Sequence, residues 1–262
     1  MHLNGKDIND KIGTLYQNMP IILYKTTDST NTRAKEYAES GFRENAVFIA
    51  SEQTAGRGRK GRSFISEKSK GLYLSILLSG DDARQSGIAI TTYMATVACR
   101  VLERLAPVKA DIKWVNDVYV DGKKLAGILT EGKIDPDCGT LDYTVCGIGI
   151  NLYKQTFDSE VKNIATTLED CSGVRVDVNL LAAELINEFF QSLSLVGSKE
   201  IAEEYKSRSF IIGKEVRVIK ANGEYNATVL DVTDACELVV CTADGNTETL
   251  FTGEVSLRVE NQ

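Results

Sequence analysis

Residues 113 to 131 read Lys113-Trp114-Val115-Asn116-Asp117-Val118-Tyr119-Val120-Asp121-Gly122-Lys123-Lys124-Leu125-Ala126-Gly127-Ile128-Leu129-Thr130-Glu131, and this stretch decides the fold class. Its apolar runs at 112–114, 118–120 and 125–129 are each too short for a helix, and Asp121-Gly122 is a hairpin turn signal. With the apolar run at 143–152 they predict a meander of antiparallel strands. Upstream, Ile88, Met94, Val97, Ala98, Val101, Leu102 and Leu105 recur at helical spacing over residues 85–105 and stop before Pro107, which predicts a core helix.

The same reading extends outward. Residues 21–26 form a strand, Asp28, Ser29 and Thr30 are N-cap candidates for a helix over 30–40 closed by Gly41, and that junction presents backbone N–H groups. Strands follow at 47–51 and 72–78, an amphipathic helix at 179–195 and a shorter one at 199–207. The class is α+β, a mixed and largely antiparallel sheet packed with helices. From Gly213 the texture changes to short strands at 216–219, 227–232, 238–241, 247–251 and 255–259, with turns at Asn222-Gly223 and Asp244-Gly245. This predicts a small C-terminal β-barrel, with domains at 1–209 and 210–262.

Between the strands at 47–51 and 72–78 lies Gly56-Arg57-Gly58-Arg59-Lys60-Gly61-Arg62. Glycine lets a backbone approach a ligand closely, while the arginines and lysine supply donors and charge to oxyanions. Gly56, Gly58 and Gly61 also satisfy the Gly-x-Gly-x-x-Gly pattern, but a dinucleotide fold needs those glycines to open a helix. Here the polar run Ser63-Phe64-Ile65-Ser66-Glu67-Lys68-Ser69-Lys70 leads to another strand.

The chain has 262 residues, 43% of them apolar, and a net charge of −7, so the basic loop is a local site for a small anion on an acidic protein. The single histidine, His2, stands in an opening segment that reads as disordered. Serine and cysteine triads, zinc sites and histidine phosphotransfer are thereby excluded, leaving positioning, Lys/Arg electrostatics and carboxylates. Six scattered cysteines without a Cys-x-x-Cys pair read as reduced structural thiols. The first twenty residues lack a signal-peptide core, and no apolar run approaches the ~18 residues of a membrane span, so a cytoplasmic protein without membrane partners is expected.

Ser29-Thr30-Asn31, Gln53 with the glycine/arginine loop, Asn116-Asp117 with Lys124-Leu125-Ala126-Gly127, Gly147-Ile148-Gly149-Ile150-Asn151, and Gly253-Glu254-Val255-Ser256-Leu257-Arg258 occur in the order seen in biotin protein ligases. The chain resembles that family from about residue 21 to its end. The resemblance implies a class II synthetase-like catalytic domain with an SH3-like C-terminal barrel. It also implies a two-step reaction: biotin carboxylate attacks the α-phosphate of ATP to give biotinyl-5′-AMP and pyrophosphate, then a lysine amine on a biotin carboxyl carrier domain displaces AMP. ATP and biotin are the implied substrates, with Mg²⁺ expected and its ligands unknown.

Physical chemistry fits residues to these roles. Two unit charges forced to ~4 Å at an effective dielectric near 20 interact by about 4 kcal/mol, so cations must offset the meeting of carboxylate and triphosphate. Arg57 and Arg59 suit the phosphates, and Lys124 suits the gap between carboxylate and α-phosphate. Ser29, Thr30, Asn31 and Gln53 suit the ureido ring of biotin, which offers one carbonyl and two N–H groups. The resemblance assigns Gly56, Gly58, Arg62 and Gly127 to the biotin and adenylate site, with Asn151 and Thr166 as secondary adenylate candidates, and Asn116 and Asp117 near the adenylate or its metal ion. Asp117 is also the candidate base for the incoming lysine.

There are departures from the family pattern. Phe64 stands where many members carry an adenine-stacking tryptophan, and Val115 where proline is usual. The twenty residues before the resemblance begins are too few for a winged helix-turn-helix, so DNA binding is not expected. Monomer and homodimer both stay open. The rival readings are a lipoate or octanoate protein ligase and a biotin-binding regulator without turnover.

Overall fold

The computed structural model describes residues 2–64, 66–86, 89–158, 161–220, 223–251 and 254–257. Ile88 of the expected core helix, Asn222 of a barrel turn, and Gly253 and Arg258 of the closing motif lie outside them. The chain runs through α1 (Gly5–Asn9), β1 (Ile21–Tyr24), α2 (Thr30–Glu39), β2 (Ala46–Ala50), β3 (Gly71–Ser79), α3 (Gly80–Ser86) and α4 (Ala89–Leu105). It continues with β4 (Ala110–Lys113), β5 (Asp117–Val120), β6 (Lys123–Ile134), β7 (Leu141–Asn151), α5 (Leu168–Ser172), α6 (Val178–Gln191) and α7 (Lys199–Ser207). These seven strands form one sheet in the order β1-β2-β3-β7-β6-β5-β4. Only β1 and β2 pair in parallel, so the sheet is mixed and largely antiparallel as expected.

The predicted hairpin at Asp121-Gly122 joins β5 to β6, with φ of 49° and 73° at the two residues. Positive φ at both centres matches the right-handed twist of the flanking strands, and Asp-Gly tolerates it. β6 runs five residues beyond the expected 125–129, to Ile134, because its ladder with β7 continues past the apolar run. The backbone bonds, rather than side-chain burial, carry that extension, so apolar periodicity did not reveal it.

The opening segment is ordered into α1, contrary to expectation. Ile8 and Ile12, one helical turn apart, are buried, and Asn179 of α6 accepts from the Asn4 N–H at 2.9 Å and donates to the His2 carbonyl at 3.1 Å. Docking against α6 supplies the order that this short polar segment lacks by itself.

Strand alternation divides the central sheet into two faces. Leu72, Leu74, Ile76 and Leu78 of β3, with Cys146, Ile148 and Ile150 of β7, face the main core, which α4 and α6 complete. The opposite face therefore receives Tyr73 and Ser75 of β3, Gly147 and Gly149 of β7, and Gly127, Leu129 and Glu131 of β6. Helix α2 lies on this second face, where Ala34 and Ala38 pack with Phe48, Leu77 and Val145.

The C-terminal strands β8 (Glu215–Lys220), β9 (Gly223–Val232), β10 (Leu238–Thr242), β11 (Thr247–Leu250) and β12 (Glu254–Leu257) form a second antiparallel sheet in the order β11-β10-β9-β8-β12. It packs against the core of the larger unit, and the Trp114 indole N–H donates to the Cys236 carbonyl at 2.9 Å. All six cysteines are unpaired. No helix among the described residues is long and apolar enough to cross a membrane.

Trp114 is 4% exposed, so Trp114→Phe leaves the Cys236 carbonyl without its partner. The expected loss is about 1–3 kcal/mol, read as a lower urea midpoint by far-ultraviolet circular dichroism. An unchanged midpoint would show that the bond does not tie the two sheets together.

Candidate active site

A cavity of 420 Å³ opens between the central sheet and the C-terminal sheet. The glycine/arginine loop contributes Arg57, Gly58, Arg59, Arg62 and Phe64; the β4–β6 meander contributes Lys113, Asn116, Asp117, Tyr119, Lys124 and Gly127; and the C-terminal sheet adds Arg217, Ile219 and Val255. Among the described residues, six cationic side chains and one carboxylate line it. Such a wall favours an anion.

The cations are held by internal partners. Arg57 Nη2 lies 2.9 Å from Glu131 Oε2, and Lys124 Nζ lies 2.7 Å from Asp117 Oδ1. Arg59 Nη1 donates to Asn116 Oδ1 at 3.2 Å, Lys113 Nζ sits 5.8 Å from the centre of the Tyr119 ring, and Arg217 pairs with Glu224 at 3.4 Å. The strands set these pairs: β5 and β6 are neighbours, so Asp117 and Lys124 meet across the hairpin. Burial, abetted by the Asp117 charge, pushes the Tyr119 phenol well above its ordinary range, so it stays a neutral donor.

Beside this cavity, and sharing Arg57, Phe64 and Leu129 with it, is a recess of 30 Å³ lined by Ser29, Thr30, Asn31, Gln53, Gly147, Ile148 and Gly149. Its walls form one polar network. Gln53 Oε1 accepts from the Thr30 N–H at 2.8 Å, and Gln53 Nε2 donates to Ser66 Oγ at 3.0 Å, leaving its second hydrogen available. Asn31 Nδ2 donates to the Leu129 carbonyl at 3.1 Å and to Glu131 Oε2 at 2.9 Å, so both amide hydrogens are used. The Ser75 hydroxyl donates to Asn31 Oδ1 at 2.6 Å. The Thr30 hydroxyl, 2.7 Å from Ser75 Oγ and 3.1 Å from Gln53 Oε1, donates to one or the other. The Ser29 hydroxyl makes no hydrogen bond among the described residues. The recess thus presents hydroxyl and amide donors together with an amide oxygen.

Its floor is glycine. A Cβ on Gly147 would lie 2.0 Å from Asn31 Oδ1, and one on Gly149 would lie 2.6 Å from the Phe64 ring. Phe64 rests on the Gly149 and Gly127 backbone, edge-on to Tyr73 at 6.4 Å between ring centres, and forms the partition between recess and cavity.

Of the site residues expected from sequence, Ser29, Thr30, Asn31 and Gln53 line the recess, while Gly58, Arg59, Arg62, Asn116, Asp117, Lys124 and Gly127 line the cavity; Arg57 and Phe64 line both. Gly56 and Asn151 line neither. Gly56 permits a tight crossing instead, since a Cβ there would lie 2.5 Å from the Phe64 carbonyl and from Ser66 Oγ. Asn151 Nδ2 donates to the Thr166 carbonyl at 3.2 Å, anchoring the segment whose Ile164 carbonyl and Thr166 N–H bond the Lys124 backbone.

Sequence reading missed Ser75, Glu131, Gly147, Gly149, Lys113, Tyr119 and Arg217 as members of the site. Ser75 had a signal, a lone hydroxyl in the apolar run Leu72-Tyr73-Leu74-Ser75-Ile76-Leu77-Leu78. Arg217 had none, because it reaches the cavity from the other sheet. Among the described residues there is no group of three or more His, Cys, Asp or Glu side chains fit to hold a metal ion.

Residues 23–151 match the Biotin/lipoate A/B protein ligase family, and residues 211–258 match the Biotin protein ligase C terminal domain. The chain is 30% identical over 248 residues to the Bifunctional ligase/repressor BirA of Bacillus spizizenii, covering 93% of this chain and 76% of that protein. It is 32% identical over 207 residues to a Biotin--[acetyl-CoA-carboxylase] ligase of Mycobacterium tuberculosis, covering 76% of this chain and 74% of that one. The biotin protein ligase of Aquifex aeolicus, solved in complex with biotin and ATP, superposes with a TM-score of 0.77 at 27% identity, over 91% of this chain and 98% of that one.

The two floor glycines differ in what an added methyl meets. At Gly147 it meets an Asn31 amide locked by three partners, so Gly147→Ala is expected to cost about 1–3 kcal/mol in urea unfolding. At Gly149 it meets a ring that borders open cavity and can swing away, so Gly149→Ala should cost under about 1 kcal/mol. Equal losses would contradict the locked amide.

Proposed function

Because the chain belongs to the biotin/lipoate A/B protein ligase family, within it to the biotin protein ligases, we propose that it activates biotin with ATP to biotinyl-5′-AMP and transfers biotin to a specific lysine of a carboxylase carrier domain. That it is an ATP-dependent biotin ligase follows from its relatives; the acceptor and the residue roles are our reading. One observation carries that reading: a neutral hydrogen-bonding recess adjoins a cation-lined cavity, and Arg57 lies where they join.

In this reading the ureido ring of biotin enters the recess, its carbonyl taking hydrogens from Ser29 and Gln53 and an N–H donating to Asn31 Oδ1. A recess of 30 Å³ holds about one water, so the Phe64 ring must move aside for the fused rings. The valeryl chain then carries the carboxylate past Arg57 toward Lys124. ATP occupies the larger cavity, its phosphates drawn by Arg59, Arg62, Lys113 and Arg217. On arrival the substrate anions replace Glu131 and Asp117 as partners of Arg57 and Lys124.

A biotin carboxylate oxygen attacks the α-phosphorus, the bond to the bridging oxygen breaks, and pyrophosphate leaves. Fixed cations stabilise the charge spreading over the phosphoryl oxygens without having to reorganise. Once Lys124 has turned to the adenylate phosphate, Asp117 is free to take a proton from the acceptor lysine as its nitrogen attacks the acyl carbon and AMP departs. Magnesium would arrive with the triphosphate. Asp117, whose Oδ1 lies 2.7 Å from Lys124 Nζ until that lysine turns away, and the adjacent Asn116 would offer it a carboxylate and an amide oxygen at the cavity wall; one or two protein oxygens suit a cation carried mainly by phosphate. It would neutralise phosphate charge there. We assign this chemistry to residues 1–209, with residues 210–262 closing the ATP side.

The reading is tested by mass spectrometry of small molecules retained after incubation with Mg-ATP plus biotin, and separately plus lipoate, without acceptor. Biotinyl-AMP is the expected product. Lipoyl-AMP alone, or unreacted biotin alone, would overturn the reading. Lys124→Met should lower the rate of biotinyl-AMP formation by about 10²–10³-fold, the scale of losing one fixed transition-state donor. Asp117→Asn should slow transfer to a carrier domain more than it slows adenylation, and equal loss of both steps would refute its role as base.

A further inference from the structure

Glu131 stands on β6 with a carboxylate that serves three groups at once. It accepts from Asn31 Nδ2 at 2.9 Å, from Arg57 Nη2 at 2.9 Å and from Lys35 Nζ at 2.9 Å. It lines neither the recess nor the cavity, so it does not itself meet a ligand there. Burial pushes its carboxyl up, but the hydrogen bonds from Asn31 and Lys35 and the Arg57 charge outweigh this and hold it ionised below the usual carboxylate range.

The consequence falls on Asn31. An asparagine amide can present either its oxygen or its NH₂ to a ligand, and the partners of the other end decide which. Glu131 and the Leu129 carbonyl together use both Nδ2 hydrogens, and both are acceptors only. Oδ1 is therefore fixed over the Gly147 floor, taking one hydrogen from Ser75 and keeping a second lone pair for the recess. We propose that Glu131 is a positioning residue for biotin: its carboxylate locks the Asn31 amide so that the recess offers an acceptor to a ureido N–H. This rests on the biotin-ligase reading and deepens it.

The role predicts non-additivity. Glu131→Ala frees the amide to turn, and the biotin dissociation constant, measured by calorimetry without ATP, should rise about 10- to 100-fold, as for loss of a well-formed hydrogen bond backed by charge. Asn31→Ala should weaken binding similarly, and the double variant should bind no more weakly than Asn31→Ala alone. Glu131→Gln keeps an oxygen for Asn31 Nδ2 and should restore biotin binding to within about threefold of wild type. Lys35→Ala breaks a Glu131 ion pair without touching Asn31, and should change binding less than about twofold. In steady state, Glu131→Ala should raise KM for biotin far more than it lowers kcat.

Additive losses in the double variant, or Glu131→Gln as weak as Glu131→Ala, would overturn the proposal in favour of a purely electrostatic role through Arg57. Thermal melts of each variant separate either result from misfolding, and the Glu131→Gln comparison stands even where Glu131→Ala fails to fold. Wild-type protein that binds biotin without making biotinyl-AMP would overturn the ligase reading while leaving the cycle to decide the role of Glu131.

Discussion

Helix α2 approaches β7 so closely at Gly147 that Asn31 Oδ1 lies 2.0 Å from where a Cβ would stand. Only a bare backbone admits the amide at that point. The polar network of the recess builds on this approach: Ser75, Glu131 and the Leu129 carbonyl bond the amide directly, and Thr30 and Gln53 extend the network through Ser75. In a partly dry site an unpartnered polar group is costly, so the groups this network leaves open, the Ser29 hydroxyl, one Gln53 Nε2 hydrogen and one Asn31 Oδ1 lone pair, are poised for a polar ligand.

The larger cavity has the opposite character. Six cations around one open space repel each other, and the fold limits that repulsion by giving Arg57 and Lys124 a carboxylate each and Arg59 an amide oxygen. These pairs are partly solvated, so each is weak enough to be exchanged for a phosphate or carboxylate ligand. A rigid neutral recess beside an exchangeable cationic cavity suits a substrate whose head must be recognised and whose tail must react. Trp114 and Arg217 extend the cavity across the two sheets, so the C-terminal strands form part of its wall rather than a separate appendage.

Much of this was legible locally. Asp121-Gly122 announced a hairpin because few other pairs accept positive φ at both turn centres, and the turn brings Asp117 to Lys124. The glycine and arginine alternation at 56–62 announced a cationic loop, which the fold sets in the wall of the larger cavity, because both residue types state their chemistry at short range. Ser75 and Glu131 were not legible in the same way. A serine in an apolar strand and a glutamate near a strand end acquire meaning only when the pleat turns both toward α2. The ordering of α1 likewise depends on Asn179 and its helix, some 175 residues away.

The amino-acid sequence by itself determined the α+β class, the hairpin turn at Asp121-Gly122, the basic loop and the near absence of imidazoles, since these rest on turn preference, periodicity and residue type. Only the tertiary structure decided which lone pair of Asn31 faces the recess, which carboxylate holds each cation, and that Arg217 joins Lys113 around one cavity. Those facts depend on distances between segments far apart in the chain, and such distances exist only once the sheet has set its register and the helices have packed upon it.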